Sequence, residues 1–382
     1  MYKAKISLER RAKQTLSLIK EILNRKKRIE IISHKFYKAP VIDYLIVPDI
    51  TADEKDIFHA ERLLKAYHKA VSDFHSPDFD IWTEISRQQS KFFSILKSND
   101  PVLLANYLCN MSKEDATIGT VQGNLVYDRL VRDASYRKFV ALMAKDKLVS
   151  LAEALGVLPI ENPEQGIYGE NIHENTQSLF ENTCSFTGYD LTPPPIDGGL
   201  LKIKAGGALL SERDLNAIYT ALTIKSVNKV CEIGGGSGRV CYWSKMFGVN
   251  EYTIIDLPHI NVIQGFYLLK SLSGAVSLFG ETDQEVRVMP CQILPSEKFD
   301  LVLNQDSFPE IEKNTVIAYL NWIKDHSDEF LNINFESKAL FPNGQHLSVP
   351  ELIKQIGGFK RMERIPYWLR KGYMLERYRP VN

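Results

Sequence analysis

The feature that most constrains the fold of this chain is a glycine-rich segment, VCEIGGGSGRV, at residues 230–240. It follows a short apolar run and precedes a segment with helical periodicity, so we expect a tight turn between a β-strand and an α-helix. From Ser211 onward, short apolar runs alternate with helical patterns: NKVCEI, EYTIID, AVSLFG, FDLVLN and EFLNINF. This alternation predicts a doubly wound, mostly parallel sheet.

The regions on either side of this pattern have a different character. The last two apolar runs, FKRMERIPYW and GYMLERYR, leave no room for a helix between them, which predicts a terminal antiparallel hairpin. Residues 1–158 have mainly helical periodicity, and residues 159–207 are rich in Pro, Gly, Asn and Thr, as is typical of a linker. We therefore predict three segments: a helical region at 1–158, an irregular linker at 159–207, and a Rossmann-like α/β module at 208–382.

Charge and cysteine content exclude several classes of protein. The chain has 382 residues with 47 basic and 47 acidic side chains, and this balance argues against a nucleic-acid partner. Its five cysteines are scattered and contain no CxxC pair, so neither a disulfide framework nor a zinc site is expected. No apolar run approaches transmembrane length, and we expect a soluble, cytoplasmic protein.

The spacing of the glycines excludes two common ligands. A phosphate-binding P-loop requires Lys and Ser or Thr after its last glycine, but Arg239 follows Gly238. The dinucleotide fingerprint G-x-G-x-x-G also fails, because its third glycine would be Arg239 or Cys241. The remaining pattern is an acid followed by glycines at every second position: Glu232, Gly234, Gly236 and Gly238. A carboxylate there suits a ligand with a cationic amino group.

A second informative residue is Asp256, at the end of EYTIID and 18 residues beyond Gly238. At the end of the next strand, a carboxylate can accept hydrogen bonds from the two hydroxyl groups of a ribose. A nucleoside with ribose, no diphosphate and a cationic amine corresponds to S-adenosylmethionine.

These segments carry a family resemblance. VCEIGGGSGR and IIDLPHI together resemble the class I S-adenosylmethionine-dependent methyltransferases. The wider pattern of PPPIDGG, SERDLNAIY, IDLP and LNQDSFPEI is most similar to the sugar O-methyltransferases of bacterial surface-polysaccharide and antibiotic-sugar pathways. The resemblance implies a seven-stranded methyltransferase sheet, with S-adenosylmethionine bound by residues 208–382 and the acceptor recognised by residues 1–158. The linker at 159–207 would line the active site.

The resemblance also implies which residues bind the cofactor. The methionine and ribose part would be lined by Glu232 and by Gly234, Gly235, Gly236 and Gly238. Asp256 would hold the ribose, with Leu257 against the adenine. Glu281 would lie near the adenine amine, with Asp283 as the competing acid. Asn304 and Gln305, which end the fourth predicted strand, would face the cleft.

Methyl transfer to a sugar hydroxyl requires removal of the hydroxyl proton, by a base or with the help of a divalent metal. Asp306 is the first candidate for base or metal ligand, supported by Glu310. The alternative is that Asp306 caps the following helix. His346 is a candidate for a lid over the acceptor, although a solvated loop histidine fits its sequence context as well. No compact metal signature is visible, so a metal requirement stays open.

Acceptor recognition would involve Trp82, Gln122 and Tyr127, although Trp82 also fits a helical core. The sequence favours an O-methyltransferase that acts on a sugar hydroxyl in polysaccharide, glycan or antibiotic-sugar biosynthesis. The alternatives are an O-methyltransferase for small molecules other than sugars, a non-catalytic S-adenosylmethionine-binding partner of another enzyme, and an NAD-linked sugar oxidoreductase. A homo-oligomer through the N-terminal helices is a further expectation.

Overall fold

A computed structural model describes residues 39–72, 81–162, 169–336 and 347–381, together with Lys20, Glu164 and the short strands at 340–341 and 344–345. The helices in this part of the chain are α1 (Glu54–Val71), α2 (Ile81–Gln88), α3 (Ser90–Ser98), α4 (Pro101–Cys109), α5 (Asn124–Arg132), α6 (Ala134–Leu155), α7 (Thr176–Thr187), α8 (Glu212–Ile224), α9 (Arg239–Met246), α10 (Pro258–Leu272), α11 (Lys313–His326) and α12 (Val349–Ile356).

The strands are β1 (Tyr44–Ile46), β2 (Leu201–Ala205), β3 (Ala208–Leu210), β4 (Lys229–Ile233), β5 (Glu251–Asp256), β6 (Val276–Leu278), β7 (Val286–Pro290), β8 (Phe299–Gln305), β9 (Ser327–Phe335), β10 (Leu340–Phe341), β11 (Gly344–Gln345), β12 (Phe359–Pro366) and β13 (Tyr373–Pro380). Short 3₁₀ turns are present at Met111–Lys113, Asp115–Thr117, Asn171–His173, Ser273–Ala275 and Phe308–Glu310.

The main sheet has eight strands in the order β12-β13-β9-β8-β4-β5-β7-β6. Every pair of neighbouring strands within the group β4 to β9 is parallel. Strand β13, in contrast, pairs antiparallel with both β9 and β12. The predicted Rossmann-like fold with a C-terminal antiparallel hairpin is therefore confirmed, but the sheet has eight strands and not the seven that were predicted.

Strand β7 is an addition to the predicted set of strands. Its sequence VRVMP alternates buried Val286, Val288 and Pro290 with half-buried Arg287 and Met289. This period of two is the signature of a strand with one face in the core. The strand lies between β5 and the short edge strand β6.

The central strands are mostly buried because helices cover both faces of the sheet. On one side, buried residues such as Val302, Phe308 and Phe330 pack with Leu320 of α11 and Leu352 of α12. Helix α10 packs against β6, β7 and α1. Among the described residues, no helix has the length and apolar character needed to cross a membrane.

The segment 159–207 is more regular than predicted, because it contains α7 and β2. Asn175 caps α7 by accepting a hydrogen bond from the Ser178 amide at 3.0 Å. Gly188 ends the helix with a left-handed φ of 74°. Both are standard helix boundary signals. They were obscured by the surrounding Asn, Thr and Gly residues, which suggested a continuous loop.

The chain divides into two compact units. One comprises the described residues up to Leu45 with Asp133–Asp190 and Leu201–Glu212, and in it α6 and α7 pack on β2. The other comprises Ile46–Arg132, Leu191–Leu200 and Arg213–Asn382 and includes the eight-stranded sheet. Each unit is built from several separate stretches of the chain, whereas the sequence pattern predicts three consecutive segments. The division of function among those segments stays a prediction.

The topology places a cleft at the carboxyl end of β4. There Ile233 lies beside Ile255 of β5 on one side and Asn304 of β8 on the other. The chain leaves β4 toward β5 and later returns to β8, so the direction of winding reverses at this point. In open α/β sheets, ligands bind outside the carboxyl ends of the strands where the winding reverses.

Candidate functional site

The glycine loop Gly234–Gly238 connects β4 to α9. Gly234, Gly236 and Gly238 have φ angles of 77°, 56° and 78°, which residues with side chains rarely adopt. A Cβ on Gly234 would lie 2.2 Å from Ser307 Oγ, whereas a Cβ on Gly236 would meet open space. Close packing therefore requires glycine at 234, while Gly236 leaves the loop open to the neighbouring cleft.

Asp256, at the end of β5, is joined directly to this loop. Its carboxylate accepts hydrogen bonds from the Gly236 amide at 3.1 Å, the Leu257 amide at 2.8 Å and Gln264 Nε2 at 2.6 Å. Burial raises the pKa of Asp256 to about 7, although these three hydrogen bonds act in the opposite direction. The structure thus brings together the two features on which the sequence prediction of a nucleoside site depends.

Glu232 lies beneath the loop and lines the cleft. Its carboxyl group is 2% exposed and accepts a hydrogen bond from Tyr252 Oη at 3.1 Å. Burial raises the pKa of Glu232 to about 8, so the carboxyl is largely protonated at neutral pH. A cationic ligand group in the cleft would favour its ionised form, which agrees with the cationic ligand predicted from the sequence.

Arg239, the first residue of α9, fixes the far end of the loop. Its buried guanidinium donates to Asp214 at 3.0 Å, Asp197 at 2.6 Å and Ser237 Oγ at 2.9 Å. These contacts join the segments PPPIDGG, SERDLNAIY and GGGSGR in one buried cluster. Because removal of one partner would leave a buried charge uncompensated, breaking such a cluster typically costs about 3–5 kcal/mol.

The cleft has a volume of about 250 Å³, and all of its lining residues belong to the compact unit that contains the large sheet. One wall is the glycine loop with Glu232. The rest of the lining comes from five separate parts of the sequence: Trp82; Gly119 and Thr120; Arg213, Asn216 and Ala217; Gln305, Asp306 and Glu310; and Arg370 and Tyr373. Polar and charged side chains thus converge on a space next to the predicted nucleoside site.

Asp306 follows β8 with a backbone φ of 65°. A non-glycine residue with this angle is strained, and such residues are concentrated at functional sites. Its carboxylate forms an ion pair with Arg370, which also donates to Tyr373 Oη at 2.7 Å. Asp306 therefore does not act as a helix cap, since Ser307 precedes the 3₁₀ turn and Glu312 caps α11.

Glu310 lies at the end of the 3₁₀ turn Phe308–Glu310 and lines the same cleft. Its half-buried carboxyl receives no hydrogen bond from the described part of the chain. Burial and the negative charge of Asp306 raise the pKa of Glu310 to about 7, while Arg370 acts in the opposite direction. This carboxyl exchanges protons readily near neutral pH.

The two residues that end β8 have different surroundings. Gln305 lines the cleft, and its Oε1 accepts a hydrogen bond from Thr220 Oγ1 at 2.9 Å. Asn304 is fully buried and does not face the cleft as expected. Its Nδ2 donates to the Ile233 carbonyl at 2.9 Å, and its Oδ1 accepts from the Asn334 Nδ2 at 2.8 Å. Asn304 thus ties β8 to the glycine loop.

Glu281 lies away from the cleft, after the edge strand β6. It forms an ion pair with Arg62 of α1 at 2.6 Å and accepts a hydrogen bond from the Leu278 amide at 2.8 Å. Glu281 was expected near the adenine amine, but the neighbour of β5 is β7, and the Cys291 amide after β7 donates to the Asp256 carbonyl at 2.8 Å. The missed strand β7 accounts for this difference.

Two further predictions concern histidine and metal chemistry. His346 lies outside the described residues. Within the part of the chain that the structure describes, no group of three or more His, Cys, Asp or Glu side chains could hold a metal ion. Asp306 and Glu310 form no metal site there, and a metal requirement stays untested.

Arg370, Tyr373, Arg213 and Asn216 are cleft residues that the sequence reasoning missed. Arg370 lies in the turn between β12 and β13, and Tyr373 is the first residue of β13. They are more than 60 positions from Asp306, and nothing in their local pattern distinguishes them from an ordinary hairpin turn. Arg213 and Asn216 are inside SERDLNAIY, a segment that carries the family resemblance but does not distinguish these two positions.

Comparisons with known proteins complete this description. No known family profile matches the sequence, and no curated protein matches it. Among solved structures, similarity is found to a magnesium protoporphyrin IX methyltransferase from Synechocystis PCC 6803 with bound S-adenosylhomocysteine, at 13% identity and a TM-score of 0.33, over 44% of this chain and 84% of that one.

Two other solved structures have comparable similarity. The glycopeptide N-methyltransferase MtfA, complexed with S-adenosylhomocysteine, has 13% identity and a TM-score of 0.34, over 43% of this chain and 90% of that one. A 1,6-didemethyltoxoflavin-N1-methyltransferase from Burkholderia thailandensis has 20% identity and a TM-score of 0.33, over 44% of this chain and 79% of that one. The substrates differ among the three, and more than half of this chain is left uncovered by each match.

Proposed function

We propose that this chain is an S-adenosylmethionine-dependent O-methyltransferase that methylates a sugar hydroxyl. The observation that carries the proposal is the hydrogen bond between the Asp256 carboxylate and the Gly236 amide beside a cleft that contains Glu310. A site for a ribose-containing ligand thus adjoins a carboxyl group able to accept a proton.

The residues present fit this cofactor. Asp256 retains lone pairs for ribose hydroxyls, since a carboxylate has about four acceptor positions and three are used. Glu232 lines the cleft and offers a carboxyl to a cationic group. S-adenosylmethionine, when bound, supplies a methyl group on a positively charged sulfur.

Glu310 is the proposed general base. When the acceptor hydroxyl takes up the methyl group that the cofactor would supply, the Glu310 carboxylate would accept the proton that this hydroxyl loses. A base with a pKa near the working pH is best suited to this task. Asp306, the first candidate from sequence, is neutralised by Arg370. It is better suited to hold Arg370 and Tyr373 at the wall of the cleft.

A sugar acceptor is supported by the sequence resemblance and by Trp82, whose half-buried indole lines the cleft. Gln122 and Tyr127, the other acceptor candidates, are not among the cleft residues; Gln122 instead donates to the backbone carbonyls of Ser112 and Gly199 at 2.9 and 3.2 Å. We further infer a cytoplasmic location and acceptor binding by the helical region. A homo-oligomer through the N-terminal helices stays a further proposal.

The experiment that tests this function is transfer of a labelled methyl group from S-adenosylmethionine to a panel of acceptors. The panel contains nucleotide sugars, methyl glycosides, uronic acids and, as non-sugar acceptors, catechols. We expect label on a sugar oxygen. Transfer only to catechol would favour the alternative small-molecule O-methyltransferase. Binding of S-adenosylmethionine without transfer to any hydroxyl would favour a non-catalytic binding partner.

A further inference from the structure

Three arginines line the cleft, and they differ in their partners. Arg239 is neutralised by two buried aspartates, and Arg370 by Asp306. Arg213 has no carboxylate within salt-bridge distance among the described residues; its Nη2 makes a long contact of 3.4 Å with the Val121 carbonyl. An arginine that faces a cleft without a counterion is suited to bind an anion.

The surroundings of Arg213 support a polar ligand. Arg213, Asn216 and Ala217 lie at positions i, i+3 and i+4 of α8, so they share one helix face, and all three line the cleft. Asn216 is 6% exposed, and its Oδ1 has no donor in the described part of the chain. Buried acceptors are normally satisfied. This face therefore offers both a cation and an unused acceptor to a ligand.

The wall next to Arg213 contains an aromatic surface. Gly119 has a φ of 84°, and a Cβ there would lie 3.0 Å from Ile85 Cδ1 and 3.4 Å from Trp82 Cη2. Only glycine allows the turn 118–121 to lie against the indole and bring the Val121 carbonyl to Arg213. Trp82 and Arg213 are thus held on one continuous wall of the cleft.

The carboxylates that line the cleft, Glu232, Asp306 and Glu310, belong to other elements than Arg213. Asp306 and Glu310 come from the segment after β8, whereas Arg213 comes from α8. An acidic group on a ligand would be attracted to Arg213, whereas the ionised Glu310 carboxylate would repel it. The hydroxyl to be methylated must approach Glu310, so the charges fix the direction in which an acidic acceptor enters.

We propose that the acceptor carries an acidic group, a carboxylate or phosphate, which Arg213 binds while the sugar ring stacks on Trp82. This inference rests on the proposed function and narrows its substrate class to anionic sugars, such as uronic acids or nucleotide-linked sugars. The methionine carboxylate of the cofactor has the same chemistry and is the competing source of an anion. Binding measurements on the two ligands separately distinguish them.

The test is calorimetry on protein saturated with S-adenosylhomocysteine, titrated with UDP-glucose, methyl glucuronide, inorganic phosphate and, as the neutral comparison, methyl glucoside. We expect the three anionic ligands to bind. Arg213→Ala should lower the affinity for each of them at least tenfold, because a charge-assisted hydrogen bond is lost. The affinity for S-adenosylhomocysteine should change less than twofold. Trp82→Ala should lower the affinity for UDP-glucose and methyl glucuronide but not the affinity for phosphate.

The matched control is Arg87→Ala, which removes one positive charge from the exposed surface of α2. It should leave all affinities unchanged. The proposal is overturned if no anion binds the wild-type protein or if Arg213→Ala leaves anion binding intact. It is also overturned if Arg213→Ala lowers the affinity for S-adenosylhomocysteine as much as the affinity for the anions. Failure of the wild-type protein to bind S-adenosylhomocysteine would instead contradict the proposed function, and phosphate titration of the ligand-free protein would still report on Arg213.

Discussion

At the scale of single residues, the two acidic candidates for catalysis have different electrostatic surroundings. Asp306 is tied to Arg370, while Glu310 has a raised pKa and no hydrogen bond from the described residues. The sequence analysis placed both in the site with Asp306 as the first candidate, whereas we propose Glu310 as the base. A pairing partner in a distant hairpin turn cannot be seen in the local sequence.

Replacement of Glu310 tests its role as the base. Glu310→Gln should retain affinity for S-adenosylhomocysteine and lower the rate of methyl transfer by about 10²–10⁴-fold, the usual contribution of a general base. In the wild-type enzyme the rate should rise with pH around an apparent pKa of about 7, since only the deprotonated carboxylate accepts a proton. Single-turnover rates across pH 5–9 provide the measurement.

The control for this experiment is Glu181→Gln, an exposed carboxylate on α7. It should reproduce the wild-type rate and pH profile. If Glu310→Gln were as active as the wild-type enzyme, with the same pH dependence, the base would have to be another group.

At the scale of secondary-structure elements, the glycine loop was the most predictable part of the site. Its alternating glycines have the positive φ angles that the pattern suggested. Its surroundings were less predictable. The contact between Gly234 and Ser307 depends on how β8 pairs with β4, and the missed strand β7 displaced the expected position of Glu281. Local patterns specify an element more reliably than its neighbours.

Two substitutions in this loop should have separable effects. Gly234→Ala places a Cβ 2.2 Å from Ser307 Oγ and should lower the free energy of unfolding by about 2–4 kcal/mol. In Gly236→Ala the new Cβ has no heavy atom within 4 Å. The free energy of unfolding should therefore fall by only about 1 kcal/mol, because alanine disfavours the positive φ angle. Its methyl group projects toward the cleft, so affinity for S-adenosylhomocysteine should fall. Urea denaturation and calorimetry measure the two effects, and equal destabilisation by both variants would contradict the proposed packing.

At the scale of the whole molecule, the fold was predictable because strand and helix alternation leaves few topologies. The set of residues that line the cleft was not predictable in the same way. Its walls come from positions as distant as Trp82, Arg213 and Arg370, which meet only when the sheet and its N-terminal helices are assembled. The predicted nucleoside site, in contrast, is formed by the ends of two adjacent strands, and adjacency of consecutive strands is a general property of such sheets.

The buried Glu232 should make the stability of the whole protein depend on pH. Its pKa is about 8 when folded against an ordinary value of 4.5, so the folded state holds this proton over a pH range where the unfolded state has released it. Stability should therefore fall as pH rises from 6.5 to 8.5. One pKa unit corresponds to about 1.4 kcal/mol, and we expect a decline of at least that size.

Glu232→Gln removes this titration and should flatten the pH dependence of the free energy of unfolding, measured by urea denaturation. Asp256 and Glu310 also titrate in this range, so the comparison with the wild-type protein isolates Glu232. Identical pH slopes for the two proteins would show that Glu232 is not a protonated, buried carboxyl.

The most direct test of the central claim is the affinity of the protein for S-adenosylhomocysteine, measured by calorimetry on the wild-type protein and Asp256→Ala. The exposed carboxylate variant Asp325→Asn serves as the matched control. We predict binding by the wild-type protein and by Asp325→Asn, and a loss of at least tenfold in Asp256→Ala, because hydrogen bonds to a carboxylate are lost. Absence of binding to the wild-type protein, or equal affinity in Asp256→Ala, would contradict the assignment of this site.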